Sequence, residues 1–304
     1  MNASNALAET QSTLARVVEQ RGPAVAGVGR GWRVGSGTVI APGRMLTAAH
    51  RATDRVTVTF SDGREEAGDP IAADHDLDLA VVAVDTGKVE PVQWAPAEAA
   101  AVGAPVVALG NPGGRGLRAT LGFVAAADRS FRGARGRRVS GALEHTAPLP
   151  RGSAGGPLLD PDGRLLGVNL LRLDGGLIIA LGVAGELRSV VDRLARGEEA
   201  ARPRLGVAVA PARVARRMRR AVGLPERDGV LVRAVEEDSP AARSGIERGD
   251  LIVGASGRAV DGVDALHRAM DEGPGNGALE LTLVRGTEER EIEVELTRGG
   301  DERQ

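Results

Sequence analysis

At 304 residues, 42% of them hydrophobic, the chain is longer than one ordinary domain and shorter than three, and two buried cores are expected. Its 39 basic and 41 acidic residues leave a formal net charge of -2, which gives no global pull toward polyanions, so nucleic acid is not expected as a partner. The absence of cysteine excludes disulfides and thiolate-ligated zinc, and His50, His75, His145 and His267 are too scattered for a metal site, so no metal or cofactor is expected.

From the N-terminus, residues 7–20 place Leu7, Leu14, Val17 and Val18 at helical spacing, and Arg21-Gly22-Pro23 ends the run. Residues 1–20 lack the basic start and apolar block of an export signal, which leaves either a cytoplasmic protein or one whose signal or anchor has been removed. No stretch of about 18 apolar residues occurs, so no transmembrane segment is expected. From residue 24 to about 179, short Val/Leu/Ile-rich runs alternate with Gly, Pro and Asp: 35–40, 56–60, 79–84, 106–109, 120–124 and 165–171. Strand signals at this spacing predict a pair of all-β barrels or a sandwich. Residues 184–195 then predict a helix with Leu187, Val190, Val191 and Leu194 on one stripe.

The polar segment 197–203 ends in Pro203 and reads as a linker. Beyond it the pattern becomes mixed. Strands are expected at 205–210, 229–235, 250–255, 279–284 and 291–296, with a short helix after the Ser239-Pro240 cap and another over 263–270. The arginine-rich run 213–220 predicts a solvated helix face and the run 129–138 a long surface loop. With almost no aromatic residues available to stack on bases, neither run reads as a nucleic-acid site.

The chemistry concentrates in Arg151-Gly152-Ser153-Ala154-Gly155-Gly156-Pro157-Leu158, which has the Gly-x-x-Gly-Gly-Pro frame of a serine-protease nucleophile turn. Upstream lie Leu46-Thr47-Ala48-Ala49-His50 and Asp76-Leu77-Asp78-Leu79-Ala80, giving the order His, Asp, expected Ser of chymotrypsin-like triads. Such chemistry needs an imidazole base, a carboxylate to orient it, and two backbone N–H groups for the oxyanion. Each has a candidate here except the hydroxyl. Ser153 is the alternative nucleophile, but a shift of one residue in a tight turn redirects the side chain.

Together with Gly35-Ser36-Gly37, Leu109-Gly110-Asn111-Pro112-Gly113 and Leu166-Gly167-Val168-Asn169, these motifs resemble the trypsin-like HtrA (Deg) proteases. The resemblance implies a chymotrypsin-like double β-barrel with His50 as base and Asp78, immediately before Leu-Ala-Val, as its carboxylate; Asp76 is a rival that breaks that register. It puts Ala154 at the nucleophile position, with the N–H groups of Gly152 and Ala154 as oxyanion hole. Asn169, Leu170, Leu171, Ile178, Ile179, Ala180 and Leu181 are then expected to line a cleft for small or medium apolar side chains.

Beyond the linker, Arg204-Leu205-Gly206-Val207, Gly229-Val230-Leu231-Val232, Ser239-Pro240-Ala241-Ala242, Gly249-Asp250-Leu251-Ile252 and Asp264-Ala265-Leu266 resemble a PDZ domain of the HtrA type. The resemblance implies capture of an apolar peptide C-terminus by the N–H groups of Leu205, Gly206 and Val207, with Leu266 and Met270 lining an apolar pocket. The expected organisation is a helical segment (1–22), a protease domain (23–196), a linker (197–203), a PDZ domain (204–298) and a tail (299–304). By resemblance the activity is endoproteolysis of unfolded or damaged proteins in the periplasm or cell envelope, by a homo-oligomer, a trimer. Two origins of Ala154 are open: an engineered serine replacement, favoured by the intact His50, Asp78 and glycine turn, or a natural pseudoprotease serving as a peptide-binding or chaperone module.

Overall fold

In the computed structural model, the described residues are 3–31, 34–132, 138–172, 176–198, 203–271 and 278–298. Helix α1 (Ala3–Arg21) is longer than its apolar stripe suggested and stops where Pro23 enters a short 3-10 turn. Strands β1 (Val25–Val28), β2 (Gly35–Ala41), β3 (Arg44–Ala48), β4 (Val56–Thr59), β5 (Glu65–Asp74) and β6 (Leu79–Ala83) close into a barrel in the order β1-β2-β3-β6-β5-β4. The seam is the pairing of Gly27 with Thr59, so no strand edge is left for aggregation.

A second closed barrel follows, made of β7 (Pro105–Gly110), β8 (Arg118–Arg132), β9 (Arg138–His145), β10 (Pro157–Leu159), β11 (Leu165–Arg172) and β12 (Ile178–Gly182), in the order β10-β11-β12-β9-β8-β7. Helix α2 (Leu187–Ala195) begins three residues later than the sequence suggested, and buries Leu187, Val190, Val191 and Leu194 as its stripe requires. These four join Leu46, Leu77, Leu79, Val168 and Leu181 in one core. Alternating strand signals and a chymotrypsin-like pair of barrels therefore agree. One expectation fails: 129–138 is not simply a loop. Arg129 pairs with Ala142 and Phe131 with Val139, so β8 and β9 form a long hairpin whose pairing outweighs the glycine signals; residues 133–137 lie outside the described residues.

The chain divides into two compact units, Met1–Glu199 and Ala200–Gln304. Residues 199–202 of the expected linker and the expected tail 299–304 lie outside the described residues. The second unit comprises β13 (Pro203–Arg204), β14 (Val207–Ala210), α3 (Ala212–Ala221), β15 (Val230–Val235), α4 (Pro240–Arg243), β16 (Leu251–Ala255), β17 (Arg258–Ala259), α5 (Val263–Asp271), β18 (Ala278–Arg285), β19 (Glu288–Glu295) and β20 (Thr297–Arg298). Its main sheet runs β14-β15-β16-β18-β19, leaving β14 on an edge. Ser239 caps α4, its hydroxyl accepting the Ala242 N–H at 3.1 Å. Asp250, almost fully buried, accepts two hydrogen bonds from Arg285, at 2.8 and 2.9 Å, and one from the Glu247 N–H at 2.8 Å, so the buried charge is paired.

Candidate active site and peptide groove

His50 sits on the short turn Ala49–Arg51 that follows β3, and Asp78 directly precedes β6. Strands β3 and β6 are paired, with Ala48 opposite Leu79, so sheet register alone carries both residues to one end of the same ladder. Asp78 then holds His50 at two points: Oδ1 accepts the His50 backbone N–H at 2.9 Å and Oδ2 meets Nδ1 at 2.7 Å. A carboxylate only accepts, so Nδ1 carries a proton, and in the neutral form of the ring it is Nε2 that presents the lone pair. Asp78 is a non-glycine residue at φ 52°, a conformation an aspartate tolerates better than most. Its rival Asp76 is buried; the carboxylate on His50 is Asp78.

The turn at 152–155 is fastened to the first barrel. The Ala154 carbonyl accepts the Ser36 N–H at 3.1 Å, the Gly152 carbonyl accepts the Ser36 hydroxyl at 2.9 Å, and the Gly155 carbonyl accepts the Thr38 hydroxyl at 2.9 Å. The Ser36 oxygen in turn accepts the Asn111 N–H at 2.9 Å, which ties in the Gly-Asn-Pro loop. Gly152 and Gly155 lie at φ 86° and 89°, the left-handed region that favours glycine. Among the described residues, the N–H groups of Gly152 and Ala154 form no hydrogen bond. Ser153 is 4% exposed with its hydroxyl unpartnered, and a methyl group at Gly110 would lie 2.7 Å from that oxygen. The Ser153 hydroxyl is thus shut in against Gly110, away from solvent.

The run expected to line a cleft is buried. Leu170 and Leu181 belong to the core under α2, and Ile178 and Ala180 to the core of the second barrel, with Ile179 also buried. Burial follows from β12 lying between β11 and β9 in a closed sheet. The Leu171 side chain lies outside the described residues. Asn169 is buried as well, and its carboxamide faces the turn: Nδ2 donates to the Gly156 carbonyl at 2.9 Å and the Pro157 carbonyl at 3.0 Å. Its Oδ1 meets His145 Nε2 at 2.9 Å. His145 is completely buried, and burial pushes its pKa down to about 4, opposed by the bond to Asn169. Nothing in sequence distinguishes this histidine from a core or surface one, because its partner lies 24 residues away across the sheet.

In the second unit, the Leu205 carbonyl accepts the Ala241 N–H and the Gly206 carbonyl accepts the Glu236 N–H, each at 2.9 Å. The N–H groups of Leu205 and Gly206 form no hydrogen bond among the described residues, and Val207 opens the edge strand β14. The Leu205 side chain is core. Leu266, expected in the pocket, is 2% exposed and belongs to the same core, whereas Met270 is half-buried at its margin. Val263, His267 and Met270 form the half-buried row of α5, at the i, i+4, i+7 spacing of one helical stripe. Two of the five arginines of α3 are paired with carboxylates, Arg216 with Asp228 and Arg220 with Glu226, and buried Arg219 donates to the Pro225 and Gly286 carbonyls. Among the described residues no acidic, His or Cys cluster could hold a metal, and no helix is long and apolar enough to cross a membrane.

Residues 35–168 match the trypsin-like peptidase domain family and residues 203–296 the PDZ domain family. The chain is similar to a probable periplasmic serine endoprotease DegP-like from Halomonas elongata, 32% identical over 86% of this chain and 56% of that protein. It is also similar to the putative serine protease HhoA from Synechocystis sp., 32% identical over 89% of this chain and 71% of that protein. It thus spans about half the length of the DegP-like relatives it matches, 56% and 54% for those of Halomonas elongata and Rickettsia prowazekii. Among solved structures, the HtrA-type protease AlgW with a tripeptide aligns with a TM-score of 0.59 at 25% identity, covering 93% of this chain and 96% of that one. The serine endoprotease from Yersinia pestis aligns at 0.66 and 24% identity, covering 94% and 97%, which speaks to fold alone.

Proposed function

This chain belongs to the HtrA (DegP) family of trypsin-like serine proteases that carry a PDZ domain, and we propose that its first unit is an endopeptidase scaffold with alanine at the nucleophile position, Ala154. The observation that carries the reading is the two-point hold of Asp78 on His50, at 2.9 and 2.7 Å. In the serine form, Nε2 of His50 takes the proton of the residue-154 hydroxyl as it attacks a peptide carbonyl. Asp78 keeps the ring in the tautomer that makes this possible and stabilises the imidazolium. The free N–H groups of Gly152 and Ala154 receive the oxyanion, and His50 returns the proton to the leaving amine. With no hydroxyl at 154 the chain as it stands is inert, since loss of a nucleophile costs about a millionfold in turnover.

The names of the relatives support a periplasmic or envelope compartment and endoproteolysis; we infer that unfolded or damaged proteins are the substrates. AlgW, solved with a tripeptide, supports peptide binding. We assign the PDZ unit to capture of apolar C-termini through Leu205, Gly206 and Val207 beside Met270, and the assembly to a homo-oligomer, a trimer. The intact His50, Asp78 and glycine turn favour a replaced serine over a natural pseudoprotease. A fluorophosphonate probe tests the site: it should label residue 154 in an Ala154→Ser protein and leave the parent chain, including Ser153, unlabelled. Labelling of the parent at Ser153 contradicts the assignment.

A further inference from the structure

We propose that His145 is a positioning residue for the turn that carries position 154, acting through the carboxamide of Asn169. The inference rests on the reading of that turn given above. Asn169 holds residues 155–157 with four hydrogen bonds. Its backbone N–H donates to the Gly156 carbonyl at 2.9 Å and its carbonyl accepts the Gly155 N–H at 2.8 Å. Its side-chain amide donates to the Gly156 and Pro157 carbonyls at 2.9 and 3.0 Å. Both side-chain partners are acceptors, so the NH2 end of the amide must face the turn and Oδ1 must face away from it. The atom waiting there is His145 Nε2, at 2.9 Å.

Because Oδ1 only accepts, Nε2 must carry a proton, and burial, which disfavours the charged ring, leaves it neutral with Nδ1 bare. Nδ1 is buried and has no partner. The register partners of His145 are Ile178 on β12 and Val124 on β8, both apolar. On its own strand the neighbouring Glu144 is engaged by Arg129 at 3.0 Å. An apolar side chain would fill this interior without leaving a ring nitrogen unsatisfied. What the imidazole adds is one donor, aimed at the one amide whose orientation fixes the residues following Ala154. Small displacements of a reacting group are costly, about 100-fold for 1 Å, so a brace at this position bears on turnover.

The test uses His145→Leu, which removes the donor at similar volume, and His145→Gln, which replaces the donor with an amide N–H. In the chain as it stands, hydrogen exchange at the Gly155 and Asn169 amides is measured by NMR. His145→Leu should speed exchange at both by about 10-fold or more while the Val168 amide on the same strand is unchanged, and His145→Gln should restore slow exchange. In the Ala154→Ser background, His145→Leu should lower kcat about 10-fold with KM little changed, and His145→Gln should recover most of it. Equal exchange and equal kcat for Leu and Gln overturn the proposal. If Ala154→Ser itself turns nothing over, the reading of position 154 fails, and the exchange experiment still decides the role of His145.

Discussion

Gly155 lies against the backbone of Ser36 and Ala48: a methyl group added to the glycine would run into the Ser36 carbonyl oxygen and come within 2.9 Å of the Ala48 nitrogen. The turn bearing position 154 is therefore seated on the end of β3, two residues before His50. Gly155→Ala combines this clash with a φ of 89°. It should lower stability by about 2–4 kcal/mol, read as a shifted urea midpoint at unchanged slope. An unshifted midpoint would show that the turn can move off the strand.

In the proposed mechanism Asp78 acts by fixing which nitrogen of His50 is protonated. In the Ala154→Ser protein, Asp78→Asn presents an amide donor to Nδ1 and turns the proton to Nε2, where it blocks the base. Turnover should fall by about 10,000-fold. Circular dichroism and melting temperature should hardly change, because the pair is partly solvated, with side chains 47% and 31% exposed, and contributes little to folding.

The motifs were readable because tight turns demand particular residues. Gly155 and Gly156 stand where backbone approaches backbone, Gly152 holds a positive φ, and His50 and Asp78 are brought together by simple strand register. Strand β5, which begins Glu65-Glu66, and strand β10, only three residues long, carry no apolar alternation and escaped notice. The resemblance puts Leu266 and Met270 in a peptide pocket, with ordinary core packing the alternative for each, and α5 turns Leu266 into the core. The resemblance gives β11 and β12 to a cleft, while their burial between neighbouring strands comes from barrel closure, which sequence apolarity alone does not show. The His145 to Asn169 bond is a product of that closure.

Stability should depend on pH through His145. Its folded pKa, about 4, lies below the ordinary 6.5, so between these values the unfolded chain binds a proton that the native chain does not. The neutral ring thus favours folding above about pH 6.5, and that advantage is lost as pH falls toward 4, amounting to about 3 kcal/mol in all. Urea unfolding at pH 7, 5.5 and 4.5 should show the decline, and His145→Leu should reduce it. An identical pH dependence in the variant would assign the acid sensitivity to other groups.

Peptide capture by the second unit should require a free carboxylate. Calorimetry with an apolar C-terminal peptide and its C-terminally amidated twin should give about a 10- to 100-fold loss on amidation, the worth of charge-assisted hydrogen bonds to the Leu205 and Gly206 N–H groups. Met270→Asp should weaken the acid peptide and leave the fold intact. Equal affinity for both peptides would move binding away from this loop.

The most direct measurement is hydrolysis of unfolded casein by the parent chain, by Ala154→Ser, and by Ala154→Ser with His50→Ala. The parent should leave casein uncut, the serine-bearing protein should cleave it, and cleavage should be lost without His50. A folded, peptide-binding Ala154→Ser protein that leaves casein intact would contradict it and favour a natural pseudoprotease.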